Sequence, residues 1–140
     1  MEKKIHFGTG GFRGVIGDDF IKENIQLVAQ ALANIIHKNH QNDKPIIVGY
    51  DNRFMSDYAA KWFVEVLNGN KISCLLYTHV VPTPAVMSTT KDAKNHYGVM
   101  MTASHNPYYF NGIKVFTLEG YDADVAFTSL LGLFHFQVMM

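Results

Sequence analysis

The stretch Pro45-Ile46-Ile47-Val48-Gly49-Tyr50-Asp51-Asn52-Arg53 decides the fold. Its apolar half is short, β-branched and without polar alternation, the pattern of a strand covered on both faces. Gly49 and the polar triplet Asp51-Asn52-Arg53 close it. Such a strand needs helices above and below, so the flanking sequence should supply them. Upstream, Ile21, Ile25, Val28, Leu32 and Ile35 recur at alternating steps of four and three, which lines one face of a helix over residues 19–39. Asp18 or Asp19 is its expected N-cap. Downstream, Ser56 is placed to cap a second helix through Leu67, with Phe63 and Leu67 inward and Asn68-Gly69-Asn70 as the stop.

Further out, Ile72-Ser73-Cys74-Leu75-Leu76-Tyr77 is another apolar run, and Thr83-Pro84 reads as an N-cap followed by proline at the first helical position. A third helix then runs to about Lys94. Tyr97 to Thr102 forms the next strand, and residues 112–117 place Ile113 and Val115 on one face, Lys114 and Phe116 on the other. The loop joining these two is too short for a crossover helix, so they should pair antiparallel. The earlier strands, joined by helices, should be parallel. The expected architecture is α/β, a three-layer αβα domain with a mixed, mostly parallel sheet over residues 1–124. Val125 to Met140 carries no Asp, Glu, Lys or Arg and is mostly apolar. It reads as an atypical tail that would drive self-association by burying its apolar side chains.

A chain of 140 residues, 48% of them hydrophobic, can bury one core without staples. Twelve Lys and Arg balance twelve Asp and Glu, which removes the broad positive field that nucleic acid or an anionic membrane would need. Any anion must be held locally. The single cysteine, Cys74, lies inside an apolar run and fits a buried, inert thiol in a reducing compartment. The first twenty residues carry charges and glycines where a signal peptide needs an apolar core, and no apolar stretch is long enough to span a bilayer. A cytoplasmic location is expected.

In an open α/β sheet, ligands collect beyond the carboxyl ends of the parallel strands. Asp51-Asn52-Arg53, Thr78-His79 and Thr102-Ala103-Ser104-His105-Asn106-Pro107 emerge there. A fourth candidate loop, Gly8-Thr9-Gly10-Gly11-Phe12-Arg13-Gly14, combines backbone N–H groups that can approach an anion with the planar fork of Arg13. It fits neither the dinucleotide fingerprint nor the P-loop, and a tight turn with a solvated arginine accounts for it equally well. Ser104 is a loop hydroxyl beside His105, able to act as nucleophile or phosphate carrier, or simply to cap the loop. A Ser-His hydrolase is disfavoured, because the nucleophile-elbow glycines are missing and adjacent side chains seldom converge. Lys114 is either a solvent-facing lysine or, half-buried near a phosphate, a proton-transfer group. Asp51 and Arg53 are expected to brace the sheet edge through a salt bridge. His37 and His40 close an amphipathic helix and read as surface residues rather than a metal site.

Taken in order, Phe7-Gly8-Thr9-Gly10-Gly11-Phe12-Arg13-Gly14, Gly49-Tyr50-Asp51-Asn52-Arg53, Pro82-Thr83-Pro84-Ala85, Thr102-Ala103-Ser104-His105-Asn106-Pro107 and Asn111-Gly112-Ile113-Lys114 resemble the first domain of the α-D-phosphohexomutases. The Thr-Gly-Gly and Thr-Ala-Ser-His-Asn-Pro spellings are more similar to phosphoglucomutase/phosphomannomutase than to phosphoglucosamine mutase. The resemblance implies an isomerase of phosphotransferase type that converts a hexose 1-phosphate into a hexose 6-phosphate. Ser104 would be the phosphoserine, handing its phosphoryl group to the phosphosugar and regaining one from a bisphosphorylated intermediate, with glucose 1,6-bisphosphate as activator. Arg13 would stabilise that phosphate, with Thr9, Gly10, Gly11 and Asn106 binding it, while His105 and Lys114 would move protons at the sugar hydroxyls. Mg²⁺ would bridge the phosphate on Ser104 and aspartates of a second domain. Those aspartates, the sugar-selecting loop and the distal phosphate loop have no counterpart in these residues, so this chain alone is expected to turn over little substrate, and Val125 to Met140, unlike the family's continuation, implies a truncation or a change of reading frame. The alternative is a non-catalytic phosphate- or protein-binding module that keeps the fold.

Overall fold

The computed structural model describes residues 7–8 and 11–120 and places helices on both faces of a six-stranded sheet. The β-branched run forms β3 (Ile46–Tyr50), buried from Ile46 to Gly49. α1 (Lys22–Lys38) precedes it and α2 (Ser56–Gly69) follows. Neither helix is capped as the sequence suggested. Asp19 accepts the Val15 N–H at 2.9 Å, and its own carbonyl accepts Asn24 Nδ2 at 2.8 Å, leaving Ile21 at the N-cap of α1 with no side-chain bond. Ser56 lies inside the first turn of α2 and donates its hydroxyl to Asp51 Oδ1 at 2.7 Å, while Met55, at φ +73°, holds the cap position. In both cases a side chain expected to satisfy a helix end is drawn into bonds with the neighbouring loop.

β4 (Cys74–Leu76) is shorter than its apolar run because it is an edge strand, paired only with β3. α3 (Thr83–Asp92) starts one residue earlier than expected, with Pro82 at the N-cap, and is followed by β5 (Tyr97–Met101) and β6 (Phe110–Thr117). The largest departure is at the amino end. Where the sequence suggested a glycine loop there is a hairpin of β1 (Phe7–Gly8) and β2 (Gly11–Val15), and β2 joins the sheet beside β6. Glycine density hid the strand, because an alternation of Phe12, Arg13, Gly14 and Val15 offers few β-branched residues to read.

The strand order is β1-β2-β6-β5-β3-β4. β3 pairs parallel with β4 and β5, whereas β6 runs antiparallel to both β5 and β2. Four strands, β2 to β5, therefore share one direction, and the sheet is mixed as expected, although only two of its five pairings, β3 with β4 and with β5, are parallel. α1 and α2 pack together over one face, burying Ile46, Val48, Val99, Met101, Ile113 and Val115 with Leu32 and Phe63. α3 covers the other face over Ile47, Met100 and Phe116. The alternation along each strand thus divides its side chains between two cores, confirming the three-layer αβα expectation. Cys74 is half-buried against the larger core, where desolvation pushes its thiol up to about 12, in keeping with an inert thiol. Among the described residues no helix is long and apolar enough to cross a membrane. Val125 to Met140 lies outside the described residues.

Candidate active site

The loop from β5 to β6 carries Ser104 at the carboxyl edge of the parallel strands. Ala103 is buried and Ser104 exposed, so the chain turns outward within one peptide unit. The Asn106 N–H donates to the Ala103 carbonyl at 3.0 Å, closing a turn whose second residue is Ser104 at φ +53°. That position ordinarily takes glycine, and holding a serine there costs on the order of 1–3 kcal/mol. The surroundings that offset the strain are polar. The Ser104 N–H donates to Thr102 Oγ1 at 3.0 Å. Arg53 reaches in from the end of β3 and donates to four main-chain carbonyls of the loop. Nη2 bonds Ser104 at 2.8 Å and Asn106 at 2.7 Å, and Nη1 bonds Pro107 and Phe110 at 2.9 Å each.

Asp51 sets Arg53 in place. Its Oδ1 accepts the Arg53 N–H at 3.0 Å together with the Ser56 hydroxyl, and its Oδ2 lies 3.8 Å from Arg53 Nε. The expected salt bridge is therefore a long contact, and the brace works chiefly through the guanidinium and the loop carbonyls. Asn111, fully buried, donates Nδ2 to Ser56 Oγ at 2.8 Å and to the Phe54 carbonyl at 3.0 Å, and accepts the Gly112 N–H at 2.8 Å. β3, α2, β6 and the Ser104 loop are joined by this one network. Asn111 and Thr102 were missed as supporting residues; the one available signal was an Asn-Gly pair opening a strand.

Arg13 and Lys114 share the α3 face of the sheet, opposite to Phe12 and Ile113, which are paired across β2 and β6 and buried in the larger core. Arg13 is exposed and lies opposite Gly112 in the register. A side chain at Gly112 would run into the Phe12 carbonyl oxygen, the Thr102 carbonyl at 2.8 Å and Arg13 Cγ at 3.0 Å, so the close approach of β2 requires glycine there and leaves the arginine stem lying over it. Lys114 is half-buried, with its ammonium 6.0 Å from the Phe116 ring centroid. Gly11, at φ +115°, would drive a Cβ to 2.1 Å from the Ile113 carbonyl oxygen, so close strand packing already demands glycine there. His105 is exposed and Asn106 half-buried in the same turn as Ser104. Thr9 and Gly10 lie outside the described residues. His37 bonds the Asn70 carbonyl at 2.6 Å at an exposed helix end. Among the described residues no group of His, Cys, Asp and Glu is gathered to hold a metal ion, so by themselves they do not fit the Mg²⁺ site that the resemblance implies.

A family model described as phosphoglucomutase/phosphomannomutase, alpha/beta/alpha domain I, matches residues 4–131. The phosphoglucosamine mutases of Cronobacter sakazakii and Proteus mirabilis are each 36% identical over 120 residues, which is 86% of this chain and 26% of theirs. A solved structure from Thermus thermophilus, named as a phosphomannomutase, superposes with a TM-score of 0.91 at 30% identity, covering 96% of this chain and 30% of that one. The chain thus spans about a quarter of the length of the curated relatives it matches. Their names differ in the sugar and agree in the reaction. With an exposed serine held at a sheet edge between Arg53 and Thr102, and a match across nearly its whole length, this chain belongs to the phosphohexomutase family as its α/β/α domain I.

Proposed function

We propose that this chain is the phosphoryl-carrying domain of a mutase that interconverts a hexose 1-phosphate and a hexose 6-phosphate through Ser104. The observation that carries the reading is the exposed Ser104 hydroxyl on a strained turn at the sheet's carboxyl edge. The other described serines offer no equivalent at that edge. Ser56 is buried with its hydroxyl donated to Asp51, Ser88 lies on α3 and donates to Asp92 at 3.4 Å, and Ser73, though exposed, precedes β4 at the amino end of the parallel strands. On this reading Arg13 holds the transferring phosphate and His105 or Lys114 exchanges a proton with a sugar hydroxyl. Thr9, Gly10, Gly11 and Asn106 supply N–H donors around the phosphate. A cytoplasmic location suits a phosphosugar substrate.

Intact-mass measurement after exposure to glucose 1,6-bisphosphate, followed by peptide mapping, tests the assignment. One phosphate on Ser104 supports it, and phosphate on Ser56 or Ser88 overturns it. In a coupled assay from glucose 1-phosphate to glucose 6-phosphate, the 140-residue chain is expected to show no turnover near ~1 s⁻¹, because positioning and charge neutralisation supply most of phosphoryl-transfer catalysis. Self-association through Val125 to Met140 is part of the same proposal, and light scattering of the chain with and without those residues tests it.

A further inference from the structure

We propose that Arg53 is the positioning residue that aims the Ser104 hydroxyl, an inference that rests on Ser104 as the phosphoryl carrier. The two peptide groups flanking the Ser104 Cα are tied from opposite sides. Thr102 Oγ1 accepts its N–H at 3.0 Å, and Arg53 Nη2 donates to its carbonyl at 2.8 Å. With both peptide planes held, the direction of the Cα–Cβ bond is set and only the χ1 rotation of the hydroxyl remains free. The Arg53 bonds also explain how the loop stays in this shape. Carbonyls of Ser104, Asn106, Pro107 and Phe110 all converge on one guanidinium, an arrangement of like-oriented dipoles that repel one another unless a cation sits at their centre.

The geometry also explains why arginine is needed. Two nitrogens on a planar fork each bond two carbonyls, whereas a lysine presents its donors from a single point and cannot span them. The fork is itself held from behind, since Asp51 Oδ1 takes both the Arg53 N–H and the Ser56 hydroxyl and the Arg53 carbonyl accepts the Ser56 N–H at 3.1 Å. Arg53 contacts the carbonyl side of the loop, so it acts on the chemistry through Ser104.

The test compares the wild-type chain with Arg53→Lys and Arg53→Ala by residue-resolved amide hydrogen exchange. The bonded loop amides of Ser104, Asn106 and Phe110 should exchange about tenfold faster in both variants, with α1 and β3 unchanged. Millimolar methylguanidinium should restore protection in Arg53→Ala, while methylammonium should not. The maximal rate of phosphate uptake from glucose 1,6-bisphosphate should fall about a hundredfold with an unchanged half-saturating concentration, because the nucleophile and not the donor has lost its aim. Unchanged loop exchange in Arg53→Lys overturns the proposal, as does acceleration spread equally over α1 and β3. If neither variant folds, Thr102→Val removes the opposite tether and should open the Ser104 amide alone; protection there overturns the two-tether account. Phosphate mapped to a residue other than Ser104, with a protected loop that Arg53→Lys opens, refutes the carrier reading and leaves the clamp standing.

Discussion

The two faces of the sheet differ in how completely they are covered. On one, α1 and α2 pack together over a core running from Phe12 on β2 to Leu76 on β4. On the other, α3 alone covers Ile47, Met100 and Phe116, leaving Leu75 56% exposed at one side and Arg13 exposed at the other. The candidate chemistry collects where covering stops. A fully covered face can supply stability but no access, while a half-covered one leaves strand positions free to carry charge, since a cation there keeps its hydration. The same sheet thereby separates holding the fold from meeting an anion.

Substitutions on the two faces should differ accordingly. Phe63, fully buried in the larger core, should carry the largest effect: Phe63→Ala is expected to cost about 3–5 kcal/mol in urea denaturation. A cost below about 1 kcal/mol would show that this face is loosely packed and that the contrast is wrong. Cys74, on the same face but half-buried at the edge strand, offers a chemical readout. With its thiol at about 12, the thiolate fraction near pH 8 falls about a thousandfold below that of a free thiol, partly offset by the greater nucleophilicity of a more basic thiolate. Alkylation by iodoacetamide should therefore run roughly fifty-fold slower in the folded chain than in the unfolded one. Because folding raises this pKa, the associated stability is present below about pH 9 and is lost as pH climbs towards about 12.

A smaller effect sharpens the comparison at the junction. Asn111 lies on the well-covered face yet bonds the polar network behind Ser104, so Asn111→Ala should cost about 1–3 kcal/mol and also speed amide exchange in the 103–110 loop. A stability loss with no change in the loop would separate the two regions more sharply than the network suggests. Arg13→Ala should be the mildest, changing stability by no more than about 0.5 kcal/mol because its side chain is exposed. A cost above about 2 kcal/mol would place Arg13 with the packing residues and remove it from the candidate site.

Much of this molecule is determined by short-range patterning. The run from Ile46 to Tyr50, the helical spacing of Ile21 to Ile35 and the alternation of Ile113, Lys114, Val115 and Phe116 are local signals. Burial follows them because period and face are properties of a few successive residues. The motif around Ser104 was legible for the same reason, being contiguous in the chain. What tertiary structure decided are the partnerships between distant residues. Gly11 to Val15 became a strand only because β6 offers a partner edge. Asp19 and Ser56 left the expected caps for bonds that exist only once the chain has turned back. Arg53 became a clamp because the fold brings Pro107, more than fifty positions away, within 2.9 Å of its guanidinium. Hydrogen-bond partners of that separation are chosen by which segments packing brings together, and no local period records the choice.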